Sequence, residues 1–325
     1  FELIARNRKI KVFYMEGTAG SEYRYIRDAL QDDPSITCVS AVVDNQYSNR
    51  PRLTRVDDPY KGFPATRKEL FEYDVVICSD ISKGAFTREQ LEWTVEMVKD
   101  RGGGFVMIGG YTSFGAGSWD QTVWDQLIPI DMRGGDVGRG VVNQQFMVSV
   151  PAKVRTHPIW RLSEDHRKND QIIDSMPPFF GTNIAQRLKP AATLLAVSAS
   201  RVSVAGKTPV FACQSYGRGR SFAMLPDSTV SWGQAFERNW GNGDNRYFRK
   251  FWRNVVNWLT ENSLSAQRRL VVETDKSIYR PGEPIAVAVQ AFDEQFRPTK
   301  EYRVALASLG ADKEKLTQQA LKVVG

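Results

Sequence analysis

The stretch Gly102-Gly103-Gly104-Phe105-Val106-Met107-Ile108-Gly109-Gly110-Tyr111-Thr112-Ser113-Phe114-Gly115 constrains the fold more than any other part of the chain. Four apolar residues in a row, bounded by glycines, read as a central parallel strand covered on both faces. The glycines after it read as a tight turn that lets backbone come close to a ligand at the strand's carboxyl end. A nucleophile elbow requires small residues two before and two after its central side chain. Gly109, Tyr111 and Ser113 fill that pattern, with tyrosine where serine or cysteine would stand. A Gly-Gly pair after a core strand is equally an ordinary strand-to-loop exit, and the local residues leave both readings open.

A chain of 325 residues has room for two domains, and its 42% hydrophobic and 25% charged residues suit an ordinary packed core. No run approaches the ~18 apolar residues of a membrane span, and residues 1–11 hold no signal-like apolar block. The start at Phe1 and the end at Val323-Val324-Gly325 read as fragment boundaries. A net charge of +7 raises a nucleic-acid or anionic-surface hypothesis. The basic residues are spread along the chain, however, with modest clusters at residues 6–11, 50–55 and 246–253, and no nucleic-acid motif accompanies them. They read as a solvated face, so no nucleic-acid partner is expected. Cys38, Cys78 and Cys213 sit in apolar segments at irregular spacing, which gives neither a disulfide framework nor a metal pattern. They read as buried small hydrophobes, and no cofactor or metal is expected.

Residues 9–15 (KIKVFYM) read as a first strand, followed by the polar turn Glu16-Gly17-Thr18-Ala19-Gly20-Ser21. Ser21 is the expected N-cap of a helix with Tyr23, Ile26 and Leu30 on one face. Residues 37–43 and 74–80 give a second and a third strand. Between them, residues 44–66 form a long excursion rich in Arg, Asn, Asp and Pro, read as a lid or a partner surface. Thr87 is the expected cap of an amphipathic helix that runs to Lys99, with Leu91, Val95 and Val98 on one face and Glu89 near its start. Alternation at this spacing predicts a parallel sheet with helices on both faces. Farther along, residues 146–150 and 193–198 read as strands, and 210–214 with 221–225 as a hairpin turning at Gly217. Asp227-Ser228-Thr229 follows the hairpin. A final helix over residues 245–260 has Phe248, Trp252, Val255, Val256 and Leu259 on its apolar face. Beyond residue 261, short alternating segments separated by Pro-Gly turns predict a small antiparallel sandwich, short enough to be incomplete.

Several blocks in order carry a family resemblance: Val12-Phe13-Tyr14-Met15-Glu16-Gly17 with Glu22-Tyr23-Arg24-Tyr25, residues 102–114, His157-Pro158-Ile159, Tyr216-Gly217-Arg218-Gly219-Arg220, and Trp232 with residues 242–248. Residues 1–262 resemble the class I glutamine amidotransferase-like superfamily, in the branch found within large planctomycete-type membrane proteins. The expected fold is α/β, a flavodoxin-like three-layer arrangement around a mostly parallel sheet. Residues 263–325, through Thr274-Asp275-Lys276 and Tyr279-Arg280-Pro281-Gly282-Glu283, resemble Ig-like sandwich domains of the macroglobulin type.

The resemblance implies a Cys-His-Glu triad, with a thiolate attacking a glutamine amide and histidine as base. Carried over by position, the elbow cysteine falls on Tyr111 and the late His-Pro-Glu motif on Leu225-Pro226-Asp227. Two of the three groups would then be absent, and a phenol with a pKa near 10 is a poor nucleophile without a base. His157 reads as a turn residue and His166 as a surface residue. Cys78, near a strand's carboxyl end, is the least implausible thiol.

The leading expectation is therefore a non-catalytic binding or scaffold domain of a larger protein. Its strand-end crevice would be lined by Glu16, Gly17, Asp80, Gly110, Tyr111, Thr112, Ser113, Asp227 and Trp232. Its expected partners are a small polar ligand or sugar, with aromatics stacking on a ring, and the other domains of the parent protein. For each acid the competing reading is a carboxylate that caps a turn. A second function class is a hydrolase or amidotransferase using Ser113 or Thr112 with Asp227, and a third is an extracytoplasmic adhesion or assembly module. By resemblance, the chain would be the envelope portion of a membrane-anchored protein, touching membrane only through other parts of it; a cytoplasmic location is the alternative.

Overall fold

The fold is seen in a computed structural model, which describes residues 9–18, 20–44, 52–56, 62–132, 140–185, 187–200, 206–229, 232–241 and 243–261, and four strands beyond them. The chain divides into two compact units, Lys9–Ser265 and a second that holds the segment from Ala266 onward.

The first unit is built on strands β1 (Ile10–Glu16), β2 (Ile36–Asp44), β3 (Arg52–Val56), β4 (Val75–Ser79), β5 (Gly104–Gly109), β6 (Ile130–Asp131), β7 (Val141–Phe146), β8 (Val148–Ser149), β9 (Phe179–Asn183), β10 (Arg187–Leu188), β11 (Thr193–Ser198), β12 (Pro209–Tyr216) and β13 (Gly219–Asp227). Its helices are α1 (Ser21–Gln31), α2 (Arg67–Leu70), α3 (Arg88–Lys99), α4 (His166–Asp174), α5 (Gly233–Arg238) and α6 (Arg246–Thr260). The main sheet runs β3-β2-β1-β4-β5-β13-β12-β11-β8. Its centre, β2-β1-β4-β5-β13, is parallel throughout. In chain order those five strands stand as 2-1-3-4-5, the flavodoxin-like arrangement. The chain leaves β1 to one side and returns on the other, so the switch point lies between β1 and β4, and the crevice there belongs to the strands' carboxyl ends. The flanks are antiparallel: β3 on β2, then β12, β11 and β8 in succession. The expectation of a mostly parallel sheet therefore holds for the core block. The later strands reverse because β12 and β13 are joined by the two residues Gly217 and Arg218, too short for a parallel crossover.

Period-two alternation sorts the strand residues between two layers. Val12, Tyr14, Val75, Ile77, Val106 and Ile108 join Ile26, Leu30, Trp252, Val255 and Leu259 of α1 and α6 in one buried cluster. On the opposite face Phe13 meets Phe63 edge-on at 5.5 Å, and Phe105 meets Trp124 at 4.8 Å. Trp124 in turn stacks on Trp119 at 4.9 Å. Each such side chain contributes about 1.5–3 kcal/mol by leaving water.

Local signals set most helix ends. Thr87 caps α3 in a reciprocal box with Gln90, as its sequence predicts, and Glu89 stands in the first turn. At α1 the N-cap position belongs to Gly20, and Ser21 is already the first helical residue. Glycine takes the extended cap conformation without penalty, which moves the helix start one residue earlier than the serine suggests. The question of a lid or a partner surface at 44–66 falls largely outside the described residues; Arg52–Val56 within it is an edge strand of the sheet.

In the second unit, β14 (Leu270–Thr274) pairs antiparallel with β15 (Val287–Ala291), and β16 (Ala305–Leu309) with β17 (Lys315–Ala320). Closure of these pairs into a sandwich would depend on the intervening segments, which lie outside the described residues.

Gly104 shows why the glycine run precedes β5. A Cβ there would sit 2.7 Å from Leu259 Cβ on α6, closer than side chains approach. We expect Gly104→Ala to destabilise the unit by about 1–3 kcal/mol through overpacking. Urea denaturation checks this; an unchanged midpoint would mean that helix and strand are not so close.

Candidate functional site

Three carboxylates converge where the parallel strands end. Tyr14 and Glu16, two residues apart on β1, point the same way, and the phenol donates to Glu16 Oε2 at 2.7 Å. Ser228 Oγ, just past β13, donates to Glu16 Oε1 at 3.2 Å. Burial pushes the Glu16 carboxyl well above the usual carboxylate range, and nearby Asp80 pushes it further. Gly17 continues the edge through its backbone, its N–H bonded to Ser79 O at 2.8 Å.

Asp80 follows β4 with a left-handed φ of 39°. It accepts from Thr112 N at 2.7 Å, Thr112 Oγ1 at 3.0 Å and Thr18 Oγ1 at 3.2 Å. One side chain thus ties the turn after β1 to the turn after β5. Burial raises its pKa to about 6 against those bonds, with Asp227 adding to the rise. Gly110, at φ 155°, lies so close that any Cβ would overlap the Asp80 carboxyl. The Gly-Gly pair is therefore required by close approach, more than by an exposed elbow.

Tyr111 stands at the strand edge and is 52% exposed, its phenol oxygen accepting from Asn143 Nδ2 at 2.6 Å. The surrounding polar groups face each other. Gly110 N donates to Asn183 Oδ1 at 2.8 Å, and Asn183 Nδ2 returns a bond to Gly110 O at 3.1 Å. Ser113 is buried, its hydroxyl donating to Ile108 O at 2.6 Å. Both backbone donors beside Tyr111, Gly110 N–H and Thr112 N–H, are thus satisfied by Asn183 and Asp80. Those two N–H groups are therefore not free for an oxyanion.

Leu225-Pro226-Asp227, expected by resemblance at the place of the His-Pro-Glu motif, lie at the end of β13. Leu225 is buried, Pro226 pairs with Thr182 of β9, and Asp227 is the last residue of β13, opposite Gly109. Asp227 Oδ1 accepts from Thr229 N at 2.8 Å and Thr229 Oγ1 at 2.7 Å. Its Oδ2 is buried with no hydrogen-bond partner among the described residues. Trp232 is 2% exposed, donating through Nε1 to Asp227 O and packed edge-on against Phe179. Its ring face is covered, so it offers no sugar-stacking surface. Neither hydroxyl of the alternative Ser113 or Thr112 constellation bonds Asp227; each is engaged elsewhere.

Cys78 is buried, and burial raises its thiol well above the ordinary value, with Glu16 adding to the rise. Cys213 has an imidazole beside it, His157 Nε2 at 3.9 Å, which linear spacing does not reveal. That pair is not a nucleophile and base. His157 Nδ1 accepts from Ile159 N, so the neutral ring carries its proton on Nε2, facing the sulfur. Burial lifts the Cys213 thiol to about 12 and lowers the histidine, so both stay neutral. Cys213 lies opposite Phe222, which is level with Val106 and short of the strand ends. His166 opens α4 on the surface. Among the described residues no group of three His, Cys, Asp or Glu is placed to hold a metal ion.

Thr18, Glu22, Asn183 and Ser228 complete the site beyond the residues that sequence singled out. Glu22, on α1, accepts from Trp232 N and Gly233 N, pinning the turn after β13. Asn183 sits 73 positions from Gly110, on a strand with no motif to mark its partner.

The family described as "Putative glutamine amidotransferase" matches residues 38–261, more than half of the chain. The chain belongs to this glutamine amidotransferase-like family. Among solved structures, it is similar to the cytoplasmic protein STM3548 of Salmonella typhimurium, with 19% identity and a TM-score of 0.55 over 77% of this chain and 98% of that one. The cytoplasmic protein STM1381 of Salmonella typhimurium LT2 matches at 17% identity and a TM-score of 0.50, over 78% and 100% of the two chains. At these identities the likeness concerns the fold. No curated protein matches the chain in sequence. This member carries Tyr111 at the bend after β5 and Leu225 within β13.

The raised Asp80 pKa has a thermodynamic consequence. The folded state holds this proton up to about pH 6 and the unfolded state only to about 3.8. Stability therefore falls as pH rises from about 4 to 6, by roughly 3 kcal/mol at most, and then levels off. Asp80→Asn removes this dependence while Glu16 remains. We expect the variant's stability, relative to wild type, to improve between pH 4 and pH 7 in denaturation series. A difference independent of pH would contradict the assignment.

Proposed function

We propose that this chain is a non-catalytic binding domain on the amidotransferase-like fold, with its ligand received at the carboxyl edge of the parallel strands. The observation that carries this reading is the state of the bend at Tyr111. The N–H groups of Gly110 and Thr112 are engaged by Asn183 and Asp80, and the Cys213–His157 contact lies short of the strand ends. Acyl transfer at glutamine needs a nucleophile, a base within about 3 Å and donors free for the oxyanion. The bend offers an exposed phenol hydrogen-bonded to an amide. A phenol of this kind binds; it does not attack.

A place within the extracytoplasmic part of a larger membrane-anchored protein belongs to the same proposal. Its support is the resemblance of residues 274–283 to macroglobulin-type sandwich domains. Among the described residues no helix is long and apolar enough to cross a membrane, so an anchor would lie elsewhere in such a parent.

The decisive experiment is a glutaminase and esterase assay of the wild type beside Tyr111→Phe, Cys78→Ser and Cys213→Ser. All four are expected to match the buffer control. Wild-type turnover that any one substitution abolishes would overturn the binding-domain reading and identify the nucleophile.

A further inference from the structure

Three large apolar side chains are exposed among the described residues: Tyr111 at 52%, Met147 at 46% and Phe180 at 40%. They share one neighbourhood. β7 and β9 form an antiparallel ribbon in which Phe146 lies opposite Phe179 and Gln145 opposite Phe180. Phe146 and Phe179 turn inward and stack with centroids 6.1 Å apart. Gln145 and Phe180 are exposed, as are Met147 just past β7 and Asn143, which lies where the pairing is irregular between Val142 and Gln145. Asn143 Nδ2 reaches Tyr111 Oη at 2.6 Å and fastens the bend to this same outer face. From the other strand, Asn183 holds Gly110. Tyr111 is thus clamped to the ribbon from both of its strands.

The two strands and their flanks are uncharged. Residues 141–152 and 175–186 contain no Asp, Glu, Lys or Arg, in a chain with 44 basic and 37 acidic residues among 325. A phenol, a phenyl ring, a thioether and two carboxamides offer nothing to an ionic partner. They complement a neutral ring that has apolar C–H faces and a hydroxyl rim. Aromatic faces take the former, and amides donate to and accept from the latter. The surface also borders the crevice mouth, where open α/β sheets gather ligands.

We propose that this face binds a neutral glycan, with pyranose rings stacked on Tyr111 and Phe180 and hydroxyls bonded by Asn143 and Gln145. The proposal rests on the binding-domain reading and names its ligand class. Phe180 takes the stacking role that buried Trp232 cannot fill.

The test is affinity electrophoresis of the full chain through gels containing hydroxyethyl cellulose, mixed-linkage β-glucan, xyloglucan, galactomannan or dextran. At least one polysaccharide should retard it. In that gel Tyr111→Ala and Phe180→Ala should each raise the apparent Kd tenfold or more, while Arg161→Ala on the remote surface leaves it unchanged. Both substituted side chains are exposed, and matching thermal melts verify that the variants fold. No retardation by any of the five, or retardation indifferent to both variants, overturns the proposal. So does concentration-dependent dimerisation in sedimentation, lost in Phe180→Ala and without retardation, which would give the face to a second copy of the chain. Failure in the gels leaves the binding-domain reading standing, whereas glutamine turnover would remove that reading whatever the gels show.

Discussion

One buried carboxylate organises the end of the sheet. Among the described residues Asp80 accepts three hydrogen bonds from the turns that leave β1 and β5, the strands on either side of its own, and it lies against a glycine that has no room for a side chain. A buried acid in this position is costly to ionise, and its pKa of about 6 records the competition between burial and the donors around it. The positive φ of Asp80, the glycine at 110 and the inward turn of Thr112 follow from that single clamp. Glu16 repeats the device with Tyr14 and Ser228, and Glu22 does so with the backbone after β13. Acids at these strand ends therefore hold turns, the structural role that competes with ligand binding for each of them.

The same clamp bears on the chemistry proposed for the bend. A catalytic elbow presents its side chain on a strained turn and leaves the adjacent N–H groups free for developing charge. Here the N–H groups of Gly110 and Thr112 are engaged before any ligand arrives. The one thiol beside an imidazole, Cys213 with His157, sits away from the strand ends and in a tautomer that aims a proton at the sulfur. In the reading proposed above, the fold of the family is kept without acyl transfer at this bend. What remains outward is Tyr111, anchored by Asn143 on an uncharged ribbon.

Much of the fold was legible because it is written locally. The Phe105 strand, the Thr87 cap with its Gln90 partner, the hairpin around Gly217 and the apolar stripe of α6 are each specified within a few residues. The site was legible to a lesser degree. Glu16, Asp80 and Asp227 could be placed at strand ends, since those ends follow from alternation. Their partners could not. Asn183 meets Gly110 across 73 residues and Glu22 meets Trp232 across 210, through contacts that only the folded sheet creates. Trp232 and Ser113 looked available because polar and aromatic residues near a glycine turn often line a crevice; packing against Phe179 and a bond to Ile108 O took them inward. The Cys213–His157 pair shows the limit most plainly, since 56 residues of chain separate two side chains that touch.

The claim that this bend has exchanged attack for recognition is tested most directly by intact-mass spectrometry after incubation with a diazoketone analogue of glutamine, an electrophile that alkylates an activated nucleophile. The account predicts an unmodified mass, with Tyr111, Cys78 and Cys213 all unlabelled after digestion. A stoichiometric single adduct on any of the three would contradict it.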